Sequence, residues 1–429
     1  MRKFKIDVIT WRILLIGMLV RLICMPIATH SDLLSNYWDA HLIVYHHQLM
    51  VFQSVIEYLH AGYLWIIATF LPPPDSLWVH IPGKYLLNPY INPDIVSIIG
   101  WFDFVNLPQV FRTLFLLKLP YIFFDLGCAF LLYRMGSDRF SSRRIFGFWW
   151  LNPLVIFAVY IFSRHEVIAL FLIILSLYWI KQGKHNLGVL TLGLAIATRY
   201  YAILLLPFYI LSIYPSWKKR IIGLMIGLSP WLLINFVGWA FSGSFDLQGL
   251  AGMPHNSYWL SMKFQIAAWD NIYVFPLVYF LLLLHRLYNR EFGYQSLVQY
   301  SLITLLLLFA TGYSGQSPQY WTWFLPLLAI AAVENRHLLP LHAIQIGCLV
   351  IYSFIGGRST AGFLFAPLSP ELFWSLPSPA EIIQRFTSPE VTISLARTLF
   401  SAISLWMVFL IFRRIKVTFL MDTHQENVK

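Results

Sequence analysis

The residues with the clearest potential for chemistry stand just past the first apolar segment of the chain. Asp32 follows that segment in the run His30-Ser31-Asp32, and Asp39 comes seven residues later. A carboxylate at this depth, beside the lipid headgroups, could take a proton from a bound hydroxyl as a general base. The alternative is a solvated aspartate at the N-terminus of a helix, where such residues cap well.

A second group of polar residues, Arg164-His165-Glu166, stands between two apolar segments that predict a tight helical hairpin. A turn does not require three charged or titratable residues in a row, so this tip is a candidate site for the phosphate or sugar of a ligand. The alternative is a local Arg–Glu pair, which contributes little stability where it is exposed.

Two cations, Lys118 and Arg199, lie within apolar segments. A charge inside a bilayer costs several kcal/mol unless it faces protein or water, so Arg199 is a candidate functional residue. The structural alternative makes Arg199 the partner of Asp125. Lys118 and Asp125 are seven residues apart on one helix face, so they could also pair with each other.

The last group lies in the loop at residues 312–320. Its Gln319 and Tyr320 could donate hydrogen bonds to a polar headgroup. The alternative is an aromatic belt around a turn, because Trp321 and Trp323 follow directly.

Together these groups predict a site with one carboxylate and several cations, which suits a lipid-linked phosphate. Cations pair with the phosphate and stabilise the negative charge that develops on it. A polyprenyl phosphate is already a good leaving group, so one base and a phosphate clamp would suffice for inverting sugar transfer. Hydrolytic glycosidases, in contrast, generally use two carboxylates. The predicted donor-binding residues are Arg164, His165, Glu166, Arg199, Lys118, Gln319 and Tyr320.

The composition indicates that a membrane scaffold positions these residues. Hydrophobic residues make up 59% of the 429-residue chain and charged residues 11%, whereas soluble domains carry roughly 25% charged residues. The apolar residues form blocks long enough to span a bilayer as helices. We therefore expect an all-α polytopic membrane protein with about ten transmembrane helices. A single domain would cover residues 1–415, and a polar cytoplasmic tail would cover 416–429.

The predicted membrane organisation has a long first external segment at residues 29–111, with interfacial helices at 49–71 and 94–107. Residues 186–214 begin and end beside basic clusters and are interrupted at Arg199, which predicts a re-entrant pair of half-helices. Further external loops are expected at 242–270, 313–319 and 356–392. Crossings are expected near residues 11–28, 112–133, 145–162, 167–181, 221–241, 271–287, 296–312, 320–334, 338–355 and 393–412.

The net charge of +11 collects in short loops on one side of this topology. Under the positive-inside rule that side is cytoplasmic and holds both termini, so the charge does not imply a nucleic-acid partner. A crossing at 49–71 would instead place the basic clusters outside.

Arg21 interrupts the first apolar run, which favours a retained helix over a cleaved signal peptide. The three cysteines lie in apolar segments and predict no disulfide framework.

Four stretches of the chain resemble the C-type (GT-C) glycosyltransferases, which are membrane enzymes that use polyprenyl-phosphate sugars. One is HSDLLSNYWDAHLI after the first helix, and a second is FRTLFLLKLPYIFFDLGCAFLLYRM at residues 111–135. The third covers residues 150–211. The fourth, SPQYWTWFLPLLAI at 317–330, is similar to a segment of the bacterial polyprenol-phosphate-mannose-dependent members.

The resemblance implies a GT-C-like bundle in a bacterial plasma membrane. Its expected activity is transfer of a hexose, with mannose the expected sugar, from a polyprenyl-phosphate donor to a lipid-linked or glycan acceptor on the non-cytoplasmic side. The family places its catalytic carboxylate in the first external loop, which implies Asp32 as the base and Asp39 as the reserve candidate. Many members have two adjacent acids there, whereas Asp32 is isolated, so a divalent metal is not favoured and no other cofactor is expected.

Two further positions depart from the family pattern. Glu166 stands where members often have Asp, and Arg199 stands where they usually have Lys, which keeps the charge but changes its geometry. The main alternative function is a transporter or flippase of lipid-linked sugars, which would share the cationic cavity but need no base. A non-catalytic assembly subunit is the second alternative.

Overall fold

The computed structural model describes residues 7–47, 54–72, 77, 101–242, 259–289, 291–312, 318–355 and 364–415. Almost all secondary structure in these ranges is helical, as the composition predicts. The chain divides into two compact units, each assembled from separate segments. The first comprises Met1–Phe171, Gln316–Thr322 and Leu349–Ala396, and the second comprises Leu172–Gly315, Trp323–Cys348 and Arg397–Lys429.

The first unit contains the helices around Asp32 and Arg164. A short π-helix, Phe157–Ile161, directly follows α6, and a 3₁₀ turn, Pro318–Thr322, also belongs to this unit. Its α-helices are α1 (Val8–Ile27), α2 (Ser31–His46), α3 (Ser54–Ile67), α4 (Val110–Arg134), α5 (Arg139–Trp150), α6 (Pro153–Ile156) and the start of α7 (Glu166–Lys181).

The second unit begins within α7 and contains a small antiparallel hairpin of β1 (Lys263–Ala267) and β2 (Asp270–Tyr273). Its helices are α8 (His185–Thr198), α9 (Leu206–Ile213), α10 (Trp217–Ser242), α11 (Val274–Tyr288), α12 (Tyr294–Thr311) and α13 (Leu325–Glu334). α14 (Leu338–Ile355) and α17 (Pro389–Phe412) each have residues in both units, and the short α15 (Pro370–Ser375) and α16 (Pro379–Ile383) lie in the first.

Side-chain caps explain where several helices begin. The Asp7 carboxylate accepts the Thr10 amide at 2.7 Å at the start of α1, and Asn152 caps α6, in which Pro153 occupies the first position. Asp138 caps α5 by accepting the amides of Phe140 and Ser141. Hydrogen bonds, first from the Ser141 hydroxyl and then from backbone amides, lower the pKa of Asp138 to about 2.

A proline in α4 explains how α2 and α3 attach to that helix. Pro120 has no N–H, so the carbonyl of Leu116 loses its partner within the helix. The hydroxyl of Tyr63 in α3 donates to that carbonyl at 2.8 Å. The hydroxyl of Tyr37 in α2 donates to the next one, Leu117, at 2.7 Å. The two tyrosines therefore fix α2 and α3 against α4 at Pro120.

Five helices in the described ranges are long and apolar enough to cross a membrane, or six if α5 and the α6–π segment, bent by 40°, form one span. The prediction of about ten crossings is therefore not confirmed in number. Two other expected crossings are shorter apolar helices, α11 and part of α14. The five are Val8–Ile27, Val110–Arg134, Trp217–Val237, Tyr294–Thr311 and Pro389–Phe412.

Two elements lie in predicted external segments at positions where the sequence analysis assigned no helix or strand. Residues 31–46 form the helix α2, whose buried side contains Leu33, Leu34, Tyr37 and Ala40 at helical spacing. The predicted loop at 242–270 contains β1, and the hairpin carries Trp269 between its strands with the side chain 98% exposed. The predicted interfacial helix at 49–71 is present as α3, and residues 101–105 of the segment at 94–107 are helical. Residues 94–100, most of the loop at 312–320 and the tail at 416–429 lie outside the described residues.

The predicted interruption at Arg199 is confirmed. α8 ends at Thr198, and Arg199 has extended backbone angles (φ −148, ψ 116). A 3₁₀ helix, Tyr200–Leu205, then leads into α9. Two half-helices joined at this arginine fit the re-entrant pair, while the side of the membrane on which each end lies remains a prediction.

Candidate active site

The centre of the candidate site is an ion pair between Asp32 and Arg164. Arg164 Nη1 lies 2.6 Å from Asp32 Oδ2, and the side chains are 12% and 26% exposed. Asp32 stands in the first turn of α2, and Arg164 stands in the turn between the π-helix and α7. The structure thus brings together an acid and a cation that are 132 positions apart in the sequence.

The backbone of the turn is unusual just before Arg164. The Phe162 amide donates to the Phe157 carbonyl at 2.7 Å, and the Arg164 amide donates to the Ala158 carbonyl at 3.0 Å. Between them, Ser163 is fully buried and has a positive φ of 61°. π-helical turns and left-handed non-glycine residues are rare and occur often at functional sites.

Glu166 completes the charged core of the site. Its Oε2 lies 3.7 Å from Arg164 Nε, and its side chain is only 1% exposed. Burial opposes the charge on Arg164, but the carboxylates of Asp32 and Glu166 outweigh it and raise the pKa of the guanidinium further above its ordinary value. Arg164 therefore stays cationic at any physiological pH.

The segment with Gln319 and Tyr320 reaches the same region. The 3₁₀ turn Pro318–Thr322 packs against α6 and the π-helix, and the Tyr320 side chain acts electrostatically on Arg164. Gln319 is buried beside it in this turn. Of the loop at 312–320, only residues 312 and 318–320 belong to the described part of the chain.

A second contact lies one helical turn further along α2. Asn36 Nδ2 is 2.7 Å from His165 Nδ1, so consecutive residues of the tip, Arg164 and His165, meet α2 at positions i and i+4. The His165 ring lies 5.7 Å from that of His60 in α3, and His60 Nε2 lies 2.9 Å from the Tyr121 hydroxyl. Burial lowers the pKa of His60 to about 4, which keeps that imidazole neutral.

The sequence analysis did not find Asn36, His60 or Tyr121. For Asn36 the sequence holds one signal, its spacing of four residues from Asp32, and this becomes visible only when residues 31–46 are recognised as a helix. His60 and Tyr121 lie in apolar helices where a single polar side chain has no pattern of its own.

Lys118 has a structural role in this unit. Its ammonium donates to the carbonyls of Met25 at 2.8 Å and Tyr160 at 3.0 Å, and also to that of Ala28. Met25 and Ala28 lie at the C-terminal end of α1, where carbonyls lack partners within the helix and cations are favourable. An ammonium has three hydrogens, and here all three have protein acceptors. We therefore leave Lys118 out of the proposed ligand site.

Asp125 has partners other than the two that the sequence suggested. Its carboxylate accepts from Arg21 Nε at 2.7 Å, the Trp149 indole at 2.7 Å and the Tyr160 hydroxyl at 2.8 Å. The possible pairing with Lys118 is therefore not formed, and the cation beside Asp125 is Arg21 rather than Arg199.

Asp39 and Arg199 stand apart from this geometry in different ways. Asp39 lies in α2 and is only 5% exposed. Arg199 belongs to the second unit, and its participation in the site remains a prediction. Within the described residues, no group of three or more His, Cys, Asp or Glu side chains is placed to hold a metal ion.

Fold and site together define an all-α protein with membrane-spanning helices and a carboxylate–guanidinium pair at the start of its second helix. The chain is similar to GPI mannosyltransferase 1 of Saccharomyces cerevisiae, with 23% identity over 293 residues, or 64% of this chain. The match spans 63% of the relative's length, which is less than two thirds. The similarity is to a yeast protein and gives no support to the bacterial subtype. No family model matches the chain, and no solved structure matches it.

Proposed function

We propose that this protein is a membrane mannosyltransferase of the GT-C type. It transfers mannose from a polyprenyl-phosphate-linked donor to a lipid-linked or glycan acceptor on the non-cytoplasmic side. The mannosyltransferase named in the comparison supports the sugar and the reaction class. The observation that carries the proposal is the 2.6 Å contact between Asp32 and Arg164, because it joins a base and a phosphate-binding cation in one place.

In the proposed reaction, the acceptor hydroxyl oxygen attacks the anomeric carbon of the donor. The new C–O bond forms on the face opposite the departing phosphate, so the configuration inverts. Asp32 receives the hydroxyl proton, and the bond between the anomeric carbon and the phosphate oxygen breaks. The polyprenyl phosphate leaves as an anion, and the Arg164 guanidinium stabilises its charge.

Access distinguishes the two acids in α2. The Asp32 side chain is 26% exposed, so a substrate hydroxyl can reach it, whereas Asp39 is 5% exposed. The Arg164 guanidinium, 2.6 Å from the Asp32 carboxylate, favours its ionised form, which is the form that a base requires. His165, Glu166, Gln319 and Tyr320 form the proposed surroundings of the donor, with Arg199 as a further cation.

Transfer from labelled polyprenyl-phosphate mannose by the purified protein tests the proposal. Asp32→Asn is expected to lower transfer by at least about 100-fold, because general-base catalysis typically contributes that much. Donor binding should persist, since the Arg164 cation is untouched. Asp270→Asn, an exposed aspartate in the β-hairpin, is the matched control and should transfer at the wild-type rate.

Other results would reassign the activity. Transfer that is unchanged in Asp32→Asn but lost in Asp39→Asn would move the base to Asp39. A transporter of lipid-linked sugars would bind and move the donor without forming a mannosylated product, and Asp32→Asn would not affect that movement.

A further inference from the structure

His30 caps the helix that carries the proposed base. Its Nδ1 accepts the backbone N–H of Asp32 at 3.2 Å, at the first turn of α2. This position usually holds Ser, Thr, Asp or Asn, whose short side chains reach the same amide. Because Nδ1 accepts here, the ring carries its proton on Nε2.

The same imidazole also contacts the catalytic carboxylate and the tip that carries Arg164. His30 Nδ1 lies 3.3 Å from Asp32 Oδ2, the oxygen that Arg164 contacts. The ring stacks on Phe162 with centroids 4.1 Å apart and planes 18° apart, and Phe162 is two residues before Arg164. His30 is buried.

We propose that His30 is a positioning residue for Asp32, an inference that rests on the proposed function. Its cap fixes the backbone of the first turn of α2, and its ring occupies the space beside Oδ2. The carboxylate is then held between the imidazole and the guanidinium. Stacking on Phe162 ties this arrangement to the turn that positions Arg164. Catalysis depends steeply on such placement, because a displacement of about 1 Å can cost about 100-fold in rate.

Three substitutions separate the contacts of His30. In His30→Asn, the amide oxygen can accept the Asp32 N–H while the planar amide takes the place of the ring beside Oδ2, so the cap and the packing beside the carboxylate survive without the stacking. His30→Ser retains only the cap. His30→Phe retains only the stacking on Phe162. The matched control is His185→Asn, because His185 is an exposed histidine at the first residue of α8.

Steady-state transfer from polyprenyl-phosphate mannose measures the outcome. We expect His30→Asn to keep kcat within about fivefold of wild type, and His30→Ser and His30→Phe to lower it by about 10- to 100-fold, with the donor KM unchanged in all three. Thermal unfolding of each variant in detergent shows whether it is folded. In an Asp32→Asn background, His30→Ser should cause no further loss, because both changes act through the same carboxylate.

Two results would overturn the inference. One is a folded His30→Ser with the kcat of His30→Asn, and the other is a loss in His30→Ser that adds fully to that of Asp32→Asn. A wild-type protein without transfer activity would overturn the proposed function instead, so the two failures are distinguishable.

Discussion

Ser163 shows how much local strain the site contains. Its φ of 61° is unfavourable for an L residue by about 1–2 kcal/mol. Its hydroxyl makes a hydrogen bond of 3.3 Å to the Ile161 carbonyl, which is too long to account for the conformation. The positive φ is instead enforced by the hydrogen bond from the Arg164 amide to the Ala158 carbonyl and by the π-turn before it. The strain is therefore located where the backbone must aim Arg164 at Asp32.

Substitution of Ser163 tests this account. Ser163→Gly should retain transfer and match or exceed the wild-type thermal stability, because glycine adopts positive φ without steric cost. Ser163→Val should lower the free energy of unfolding by about 1–2 kcal/mol and reduce transfer, because a β-branched residue fits the left-handed region poorly. Unfolding midpoints in detergent and transfer assays measure both effects. A Val variant more stable and more active than the Gly variant would contradict the account.

Residue types alone identified the two members of the candidate ion pair but neither their contact nor the residues around them. Asp32, Arg164 and Glu166 are charges in a chain with few of them, so each required a role. The sequence gives no sign that their neighbours His30, Asn36 and His60 belong to the site, because only the fold brings these residues together. For the same reason the sequence could not show the contacts of Lys118, because a buried ammonium that binds backbone carbonyls looks in the sequence like one that binds a ligand.

Among the elements, α1 and α4 are held together by a buried polar cluster. Arg21 Nε pairs with Asp125 at 2.7 Å, and neither side chain has any exposure. Arg21 Nη1 also donates to the carbonyls of Gly17 and Trp150, and its guanidinium lies 3.6 Å from the centroid of the Trp150 ring. The cluster thus connects α1, α4 and α5, and both charges of its ion pair are buried from solvent.

Replacing one member of the Arg21–Asp125 pair should lower the free energy of unfolding far more than replacing both members. Arg21→Met leaves the Asp125 carboxylate buried without its cation, and we expect a loss of about 3–5 kcal/mol. The double substitution Arg21→Met with Asp125→Leu should recover most of that stability, because no unpaired charge remains. Arg12→Met, an exposed position on the same helix, is the control. Thermal unfolding in detergent gives the ranking, and a double variant less stable than Arg21→Met would refute it.

The predictability of the elements depends on the length of their apolar runs. The helix predicted at 167–181 is found at Glu166–Lys181, and the break at Arg199 lies at the expected residue. An apolar run of this length is expected to be helical in a membrane, because a helix satisfies every backbone hydrogen bond within the segment. α2 mixes His, Asn and Asp with its apolar side, and the β-strands have only five and four residues. Neither has the long uninterrupted run that makes a transmembrane helix visible.

For the molecule as a whole, the sidedness of the membrane insertion remains a prediction from the basic loops. The predicted sidedness places two exposed residues on opposite sides of the membrane. Trp269 in the β-hairpin falls in a predicted external loop, and Lys218 at the start of α10 falls in a predicted cytoplasmic cluster. Both side chains are exposed, so a label can reach either position from the aqueous side that it faces.

Single cysteines at these two positions test the topology. With Cys24, Cys128 and Cys348 replaced by alanine, a membrane-impermeant maleimide should label Trp269→Cys in intact cells. Lys218→Cys should react only after the membrane is permeabilised, because the positive-inside rule places it in the cytoplasm. Labelling of Lys218→Cys from outside would invert the topology and place the predicted donor site on the wrong face.

The contacts between α1 and α4 also bear on how the chain enters the bilayer during synthesis. α4 brings two ionisable groups, Lys118 and Asp125, into a segment apolar enough to span the membrane, and such groups partition poorly into lipid on their own. Both groups have partners in α1 or in the residue after it, roughly ninety to a hundred positions earlier in the chain. Lys118 binds two of its three carbonyls there, and Asp125 binds the guanidinium of Arg21. As the ribosome delivers the chain, the earlier helix is synthesised before the later one, so we expect α1 to act as an insertion partner for α4.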